Sequence, residues 1–354
     1  MRIILRSGVI LLAFALAACG GGGSSSGNSS SGSTGGDASQ NTALNAVAYG
    51  QGVFVGVGSN SGSTPLIETS TDGITWTART SGDTAAASEF VTVVAGSNGF
   101  LAEDDNDTLY FSSKGTTWTN VTPAGIASQG TLAYAAISWD GAEYLVTSRV
   151  GSVGTLYEST DGSAWTAIAA SGTTEAAGSI TRVAGTWYGL SGAVSPGGTL
   201  LGADVLTSTD LADWTAESAP LFVSGTGPNR LLYANKQFVG VGNGGLIATS
   251  ADGLNWTDDY NAGVTTADLN AVAWNGSVYV AVGNDETVLH STDGTTWTSV
   301  DVSSLVPSGV NAPDFMSVAA DPTTGTFVIA GPTPSLTAID LVSTDGVHWS
   351  AGKP

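Results

Sequence analysis

A seven-residue stretch, Ser-Thr-Asp-Gly-x-x-Trp, recurs seven times and constrains the fold of this chain more than any other feature. Five copies keep the pattern closely, at 70–76, 159–165, 250–256, 291–297 and 343–349. Two are degraded: Lys114 replaces the Asp of 112–118, and Leu211 replaces the Gly of 208–214. The copies end at Trp76, Trp118, Trp165, Trp214, Trp256, Trp297 and Trp349. A period in the forties is typical of propeller or solenoid arrays.

Each period also carries four short strand patterns. In the first period they span 44–49, 53–57, 66–70 and 75–78, and the sixth repeats them at 269–274, 278–282, 288–291 and 296–299. The 354 residues include 49 Gly and are only 11% charged, and no long segment after residue 37 has helical apolar periodicity. We therefore predict an all-β fold: a seven-bladed β-propeller over 37–354, with four antiparallel strands per blade.

Ring closure has two possible forms. The chain begins with a first strand and ends on a fourth, at 349–351, so blade 1 is expected to pack against blade 7 without a shared blade. A strand borrowed from 37–42 is the alternative.

The repeated motif has a structural explanation. Asp-Gly favours the hairpin turn between the third and fourth strands, the Ser hydroxyl bonds to the same turn, and the Trp covers it. We expect the aspartates to stabilise the fold: Asp72, Asp161, Asp210, Asp252, Asp293 and Asp345.

The motif resembles the Asp-box, or BNR repeat, of bacterial sialidases, sortilin-type receptors, some glycoside hydrolases and photosystem assembly factors. The resemblance covers about 44–350. Several copies lack one residue of the commoner box, and in this they are similar to the boxes of the assembly factors. It implies that the boxes lie at the periphery of the propeller and are not catalytic.

The amino terminus resembles that of a bacterial lipoprotein. Residues 1–18 have Arg2 and Arg6 before a short apolar run, as a signal peptide does, and Leu16-Ala17-Ala18-Cys19 is similar to a lipobox. Cys19, the sole cysteine, is the predicted lipidation site; an ordinary signal peptide is the alternative. Residues 19–36 are the lipidated Cys and a Gly/Ser tether spanning about 20–25 Å. By resemblance, Gly20 favours the outer membrane, on its periplasmic or surface face.

Charge limits the partners. Removing residues 1–18 leaves seven basic against 30 acidic residues, a net charge of −23. Nucleic acid is disfavoured because its phosphates require Lys and Arg, and no basic patch favours anionic lipid. The predicted membrane contact is the lipid alone.

Two arginines are candidate binding residues. The chain after residue 18 has four Arg, whereas a sialidase needs a cluster of three together with a nucleophile and an acid. Aligned first strands place Arg182 and Arg230 where the other blades have Ala46, Thr92, Ala136, Ala271 and Ser317. The pair is predicted to form a positive site for a carboxylate; pairing with local acids such as Asp204 or Glu217 is the alternative.

Aromatic residues form a second candidate site. Trp139, Trp187 and Trp274 lie near the turn between first and second strands, beside Tyr49 and Tyr233. They suit a sugar-stacking or protein-binding rim, or else they cap the core between blades.

No metal or cofactor is predicted. The acidic run 103–107 is interpreted as a solvated loop, with Ca²⁺ binding as the alternative. His290 and His348 match no zinc pattern, and no phosphate loop or nucleophile elbow occurs.

These features together predict a non-catalytic binding or assembly scaffold for a protein or glycan. The alternative is a glycoside hydrolase of the sialidase or xyloglucanase type, supported by the shared box.

Overall fold

The computed structural model describes most of the chain after residue 41. The described ranges are 5–6, 9–10, 42–60, 64–81, 89–127, 133–150, 153–168, 177–194, 200–217, 228–259, 264–306, 312–332 and 338–352. Cys19 and the tether lie outside them. Of the predicted signal segment, β1 (Leu5–Arg6) and β2 (Val9–Ile10) pair as a two-stranded antiparallel ladder.

The remaining strands form seven four-stranded antiparallel sheets, each made of four consecutive strands. The first three blades are β3 (Thr42–Gly50), β4 (Val53–Asn60), β5 (Thr64–Ser70) and β6 (Thr77–Arg79); β7 (Phe90–Gly96), β8 (Gly99–Asp104), β9 (Leu109–Ser112) and β10 (Thr119–Asn120); and β11 (Ala133–Trp139), β12 (Tyr144–Val150), β13 (Val153–Ser159) and β14 (Thr166–Ile168).

The other four blades follow the same order. They are β15 (Ala177–Val183), β16 (Thr186–Val194), β17 (Leu200–Ser208) and β18 (Thr215–Glu217); β19 (Pro228–Ala234), β20 (Gln237–Gly242), β21 (Ile247–Ser250) and β22 (Thr257–Asp258); β23 (Leu269–Trp274), β24 (Tyr279–Gly283), β25 (Val288–Ser291) and β26 (Thr298–Ser299); and β27 (Ser317–Ala320), β28 (Phe327–Pro332), β29 (Ala338–Ser343) and β30 (Ser350–Ala351). The predicted seven-bladed propeller is confirmed.

Helical structure is confined to short connecting segments in the described ranges. These are α1 (Ala124–Ala127) and two 3-10 turns, Asn243–Gly245 and Ser303–Leu305. Among the described residues, no helix has the length and apolar character that crossing a bilayer requires.

The ring closes by packing between blade 7 and blade 1, and the two sheets share no strand. Leu44 and Phe54 of blade 1 lie in one buried cluster with Val328 and Val342 of blade 7. The Ser317 hydroxyl accepts a hydrogen bond from the Val47 N–H at 3.1 Å. Closure therefore takes the first of the two predicted forms.

The fourth strands differ from the prediction. They begin after the Trp of each motif, as β6 does at Thr77, and they span two or three residues. The Trp lies in the turn. In five copies its indole N–H bonds within the turn, as Trp297 Nε1 does to the Gly294 carbonyl at 2.9 Å, whereas Nε1 of Trp76 and of Trp165 is buried without a hydrogen-bond partner.

Candidate functional site

The carboxylates of the repeated motif are occupied by their own turns. In the first copy, Asp72 Oδ1 accepts hydrogen bonds from the N–H groups of Ile74 and Thr75, both at 2.8 Å, and from the Ser70 hydroxyl at 2.9 Å. The Ser70 oxygen in turn accepts the Gly73 N–H. The same bonds recur at Asp161, Asp210, Asp252, Asp293 and Asp345.

These bonds lower the pKa of the motif carboxyls. The backbone N–H groups of Thr75 and Ile74 hold the pKa of Asp72 below its usual range, because they favour the ionised form. Those of Ala164 and Ser163 lower the pKa of Asp161 to about 2. A carboxylate held ionised by its own backbone is poorly suited to donate or accept protons in catalysis near neutral pH.

The glycine of each turn lies against the preceding blade. A Cβ at Gly73, whose φ is +74°, would meet Val328 Cγ2 at 2.5 Å, and one at Gly115 would meet Val55 Cγ2 at 2.7 Å. In the degraded fourth copy, Leu211 has a φ of 64° and is 2% exposed, in a cluster with Leu145 of blade 3. The motif thus fixes the contact between neighbouring blades as well as the hairpin.

The central channel contains a cavity of about 220 Å³. It is lined by the amino-terminal halves of the first strands of blades 1, 2, 5, 6 and 7. The polar residues among its lining are Asn45, Thr92, Asn229, Arg230, Asn270 and Ser317, and the rest are aliphatic residues and Met316. Among the described residues that line it, none is Asp, Glu, His or Cys.

Three asparagines connect neighbouring blades at this cavity. They lie at the same register irregularity in their first strands. Each donates from Nδ2 to a backbone carbonyl of the next blade: Asn45 to Phe90 at 2.8 Å, Asn229 to Leu269 at 3.0 Å, and Asn270 to Phe315 at 3.1 Å. Their Oδ1 atoms accept no hydrogen bond from the described residues. The cavity wall is therefore held in place while these amide oxygens stay unused.

Arg230 supplies the cation of the cavity. In its blade, Arg230 of the first strand pairs with Val241 of the second. The same position in blades 1, 2, 6 and 7 is occupied by Ala46, Thr92, Ala271 and Ser317. The Arg230 side chain is exposed to the solvent of the channel, although protein atoms crowd around the guanidinium and the resulting desolvation lowers the pKa of Arg230. Within the described ranges, the guanidinium makes no ion pair and no hydrogen bond.

Arg182 lies elsewhere, and its predicted equivalence to Arg230 is wrong. Arg182 pairs with Trp187 one step from the hairpin end, whereas Arg230 lies four steps from its own hairpin end. Trp187 pairs with the motif serine Ser208, as Phe238 pairs with the motif serine Ser250. Trp187, and not the adjacent Tyr188, is therefore the counterpart of Phe238. Arg182 thus takes the place of Tyr233, and its guanidinium lies 4.2 Å from the centre of the Trp187 ring.

The predicted aromatic residues occupy two kinds of position. Trp187 is 8% exposed and donates from Nε1 to Asp140 Oδ2 at 2.7 Å. Trp139 and Trp274 are half-buried and pack on Tyr144 and Tyr279, with ring centres 4.7 and 4.2 Å apart. All three pack against the core between blades, and a binding role for them remains a prediction.

The acidic run 103–107 is not a solvated loop throughout. Glu103 and Asp104 end β8 and are each 1% exposed, because the strand carries them between the blades. Asp104 Oδ1 accepts the N–H groups of Asn106 and Thr108 and so shapes the turn that follows. Among the described residues, no three His, Cys, Asp or Glu side chains are grouped as a metal ion would require.

A further buried acid, Asp340, was not predicted from the sequence. Asp340 of β29 is 7% exposed, and its Oδ1 is buried without a hydrogen-bond partner. At the equivalent third-strand position the other blades have aliphatic residues: Ile67, Leu109, Leu156, Val205, Ile247 and Val288. Desolvation, and then the charge of Glu68 on blade 1, raises the pKa of Asp340 to about 7. A seven-blade alignment of third strands would have revealed it.

Comparison with known proteins supports the fold. Residues 29–153 match a family described as the DUF6242 beta propeller domain. No protein of curated function matches the sequence.

Several solved structures are similar to the chain. YCF48 bound to a D1 peptide has a TM-score of 0.57 at 15% identity, covering 82% of this chain and 91% of that one. A virginiamycin B lyase from Staphylococcus aureus has a TM-score of 0.63 at 13% identity, covering 86% and 96%. PorZ, a bacterial surface component of the type-IX secretion system of Porphyromonas gingivalis, has a TM-score of 0.59 at 10% identity, covering 88% of this chain and 38% of PorZ. At these identities the likeness establishes the propeller fold alone.

Proposed function

We propose that this chain is a lipid-anchored, non-catalytic propeller of the bacterial cell envelope that holds a partner protein or glycan on one face of the ring. One observation carries the proposal. The repeated carboxylates accept hydrogen bonds from their own turns, while the described lining of the central cavity offers amides, hydroxyls and one guanidinium and includes no carboxylate or imidazole. Such a lining suits recognition better than proton transfer.

Two similar structures support a binding role. YCF48 is described in complex with a D1 peptide, and PorZ is described as a surface component of a secretion system. These statements concern those proteins. Together with the resemblance of the box to that of assembly factors, they favour a protein partner over a small substrate for this chain.

Anchoring is proposed through Cys19, with 20–36 as the tether and the outer membrane as the location. The test replaces Cys19 with Ser in the full chain. We expect loss of labelled fatty acid and release of the protein from envelope membranes. Unchanged labelling and fractionation would contradict the anchor while leaving the binding proposal intact.

Photo-crosslinking tests the binding role and locates the face. A crosslinking residue is placed separately at Gln51 in a turn between first and second strands, at Asp285 on the opposite face, and at Thr298 on an outer strand; all three positions are exposed. We expect adducts with one defined envelope component from one face, and none from Thr298. That component, once purified, should bind the propeller in solution. Equal capture at all three positions, or no binding in solution, would refute the proposal.

An enzyme of the glycoside hydrolase type remains the second class, supported by the box resemblance. A panel of fluorogenic glycosides separates the two classes. We expect no turnover. Hydrolysis that a single carboxylate substitution abolishes would overturn the scaffold proposal.

A further inference from the structure

We propose that the central cavity is a binding site for a small organic anion, whose carboxylate lies on the Arg230 guanidinium. The expected class is a small monocarboxylate that also carries a hydroxyl or amino group. This inference goes beyond the partner protein or glycan proposed above, because it assigns a small ligand to the cavity itself.

The Arg230 guanidinium is a charge without a partner among the described residues. A guanidinium in the narrow channel of the ring is less well screened by water than one on the outer surface, so an anion binds to it more strongly there. Within the described ranges Arg230 has no such partner, although the chain has 30 acidic residues and a net charge of −21. The fold does not need a cation here, since Ala46 and Ala271 occupy the same place in their blades. An exogenous anion supplies the missing partner.

The second observation is the geometry of the cavity. A volume of about 220 Å³ is too large for one water molecule and smaller than most drug-sized pockets. A guanidinium holds a carboxylate through two parallel hydrogen bonds. The Oδ1 atoms of Asn45, Asn229 and Asn270, which accept no hydrogen bond from the described residues, are acceptors for a hydroxyl or ammonium group of the ligand. A single cation favours one carboxylate over a multiply charged anion.

The test uses the arginine Nε–H signals in a nitrogen-15 NMR spectrum. The chain after residue 18 has only four Arg, so the signals are few and each is assigned by substitution. The probes are L-lactate, acetate and inorganic phosphate. We expect L-lactate at millimolar concentration to shift the Arg230 signal, acetate to bind more weakly because it lacks the hydroxyl, and phosphate to bind weakest.

Two matched variants complete the experiment. Arg230→Ala restores the residue of blades 1 and 6 and should weaken L-lactate binding at least about 10-fold, measured by calorimetry. Arg182→Ala removes the same charge from the Trp187 contact and should leave binding unchanged. An Arg230 signal unmoved by L-lactate, equal loss in both variants, or a response to phosphate alone would each overturn the proposal.

Discussion

Replacing Asp340 with Asn should stabilise the ring, and increasingly so as pH rises. The carboxyl lies on β29 of blade 7, with one oxygen buried and unbonded, and Glu68 of the adjoining blade 1 contributes a second negative charge. The other blades have an aliphatic residue at this position. Asn has nearly the shape of the protonated acid and carries no charge at any pH.

The pKa of about 7 in the folded protein sets the size of the effect. Because this pKa is above the unfolded value near 3.8, the folded chain binds the proton more tightly. Below about pH 4 the carboxyl is protonated in both states, and its ionisation does not lower the free energy of unfolding. The destabilisation by the ionised carboxyl grows as pH rises to about 7 and then levels off at about 4 kcal/mol, since one pKa unit equals about 1.4 kcal/mol. Between about pH 5 and pH 8 the stability gained by Asp340→Asn should therefore increase by about 2–3 kcal/mol.

Guanidinium unfolding at about pH 5 and about pH 8, followed by tryptophan fluorescence, measures this difference as a shift in midpoint at unchanged slope. Asp285→Asn is the matched control, because it makes the same chemical change at an exposed carboxylate on the surface. A gain for Asp340→Asn that is equal at both pH values would refute the reasoning, since it would show that the buried carboxyl does not titrate between them. A loss at pH 8 would show that the ionised form has a partner.

Two further substitutions test the motif. Lys114→Asp should raise the stability by about 1 kcal/mol, as a capping carboxylate does, because the buried Ser112 hydroxyl now lacks a hydrogen-bond partner; an unchanged or lower unfolding midpoint would contradict this role. Gly73→Ala should cost about 2–4 kcal/mol, from the positive φ and from the contact with Val328. Gly52→Ala, with a φ of +77° and open space around it, should cost only about 1 kcal/mol. Equal losses for the two alanines, by the same unfolding assay, would show that the contact between blades contributes nothing.

Much of the fold could be predicted because its determinants are local and repeated. Asp-Gly turns, alternating strands and the spacing of the Trp residues specify a blade within about forty residues, and seven copies specify the ring. The degraded copies were visible as well. Lys114 and Leu211 can be recognised because the other copies have Asp and Gly at these motif positions.

The candidate site was predictable only in part. The position of Arg230 on a channel-lining first strand followed from alignment of the strands. The error at Arg182 arose because the first and second strands of blade 4 pair in a register that places Arg182 one step from its hairpin end, whereas Arg230 lies four steps from its own. Strand register depends on how two strands pair, so it cannot be read from the sequence of one strand alone.

The sequence by itself determined the number of blades, the order of their strands and the structural role of the repeated aspartates, since each depends on contacts close along the chain. The tertiary structure decided the burial of Glu103, Asp104 and Asp340, the separation of Arg182 from Arg230, and the polar lining of the cavity. These depend on which residues of neighbouring blades lie opposite one another across the interfaces and the channel. Such contacts join residues about forty or more positions apart, or the two ends of the ring, and no local pattern records them.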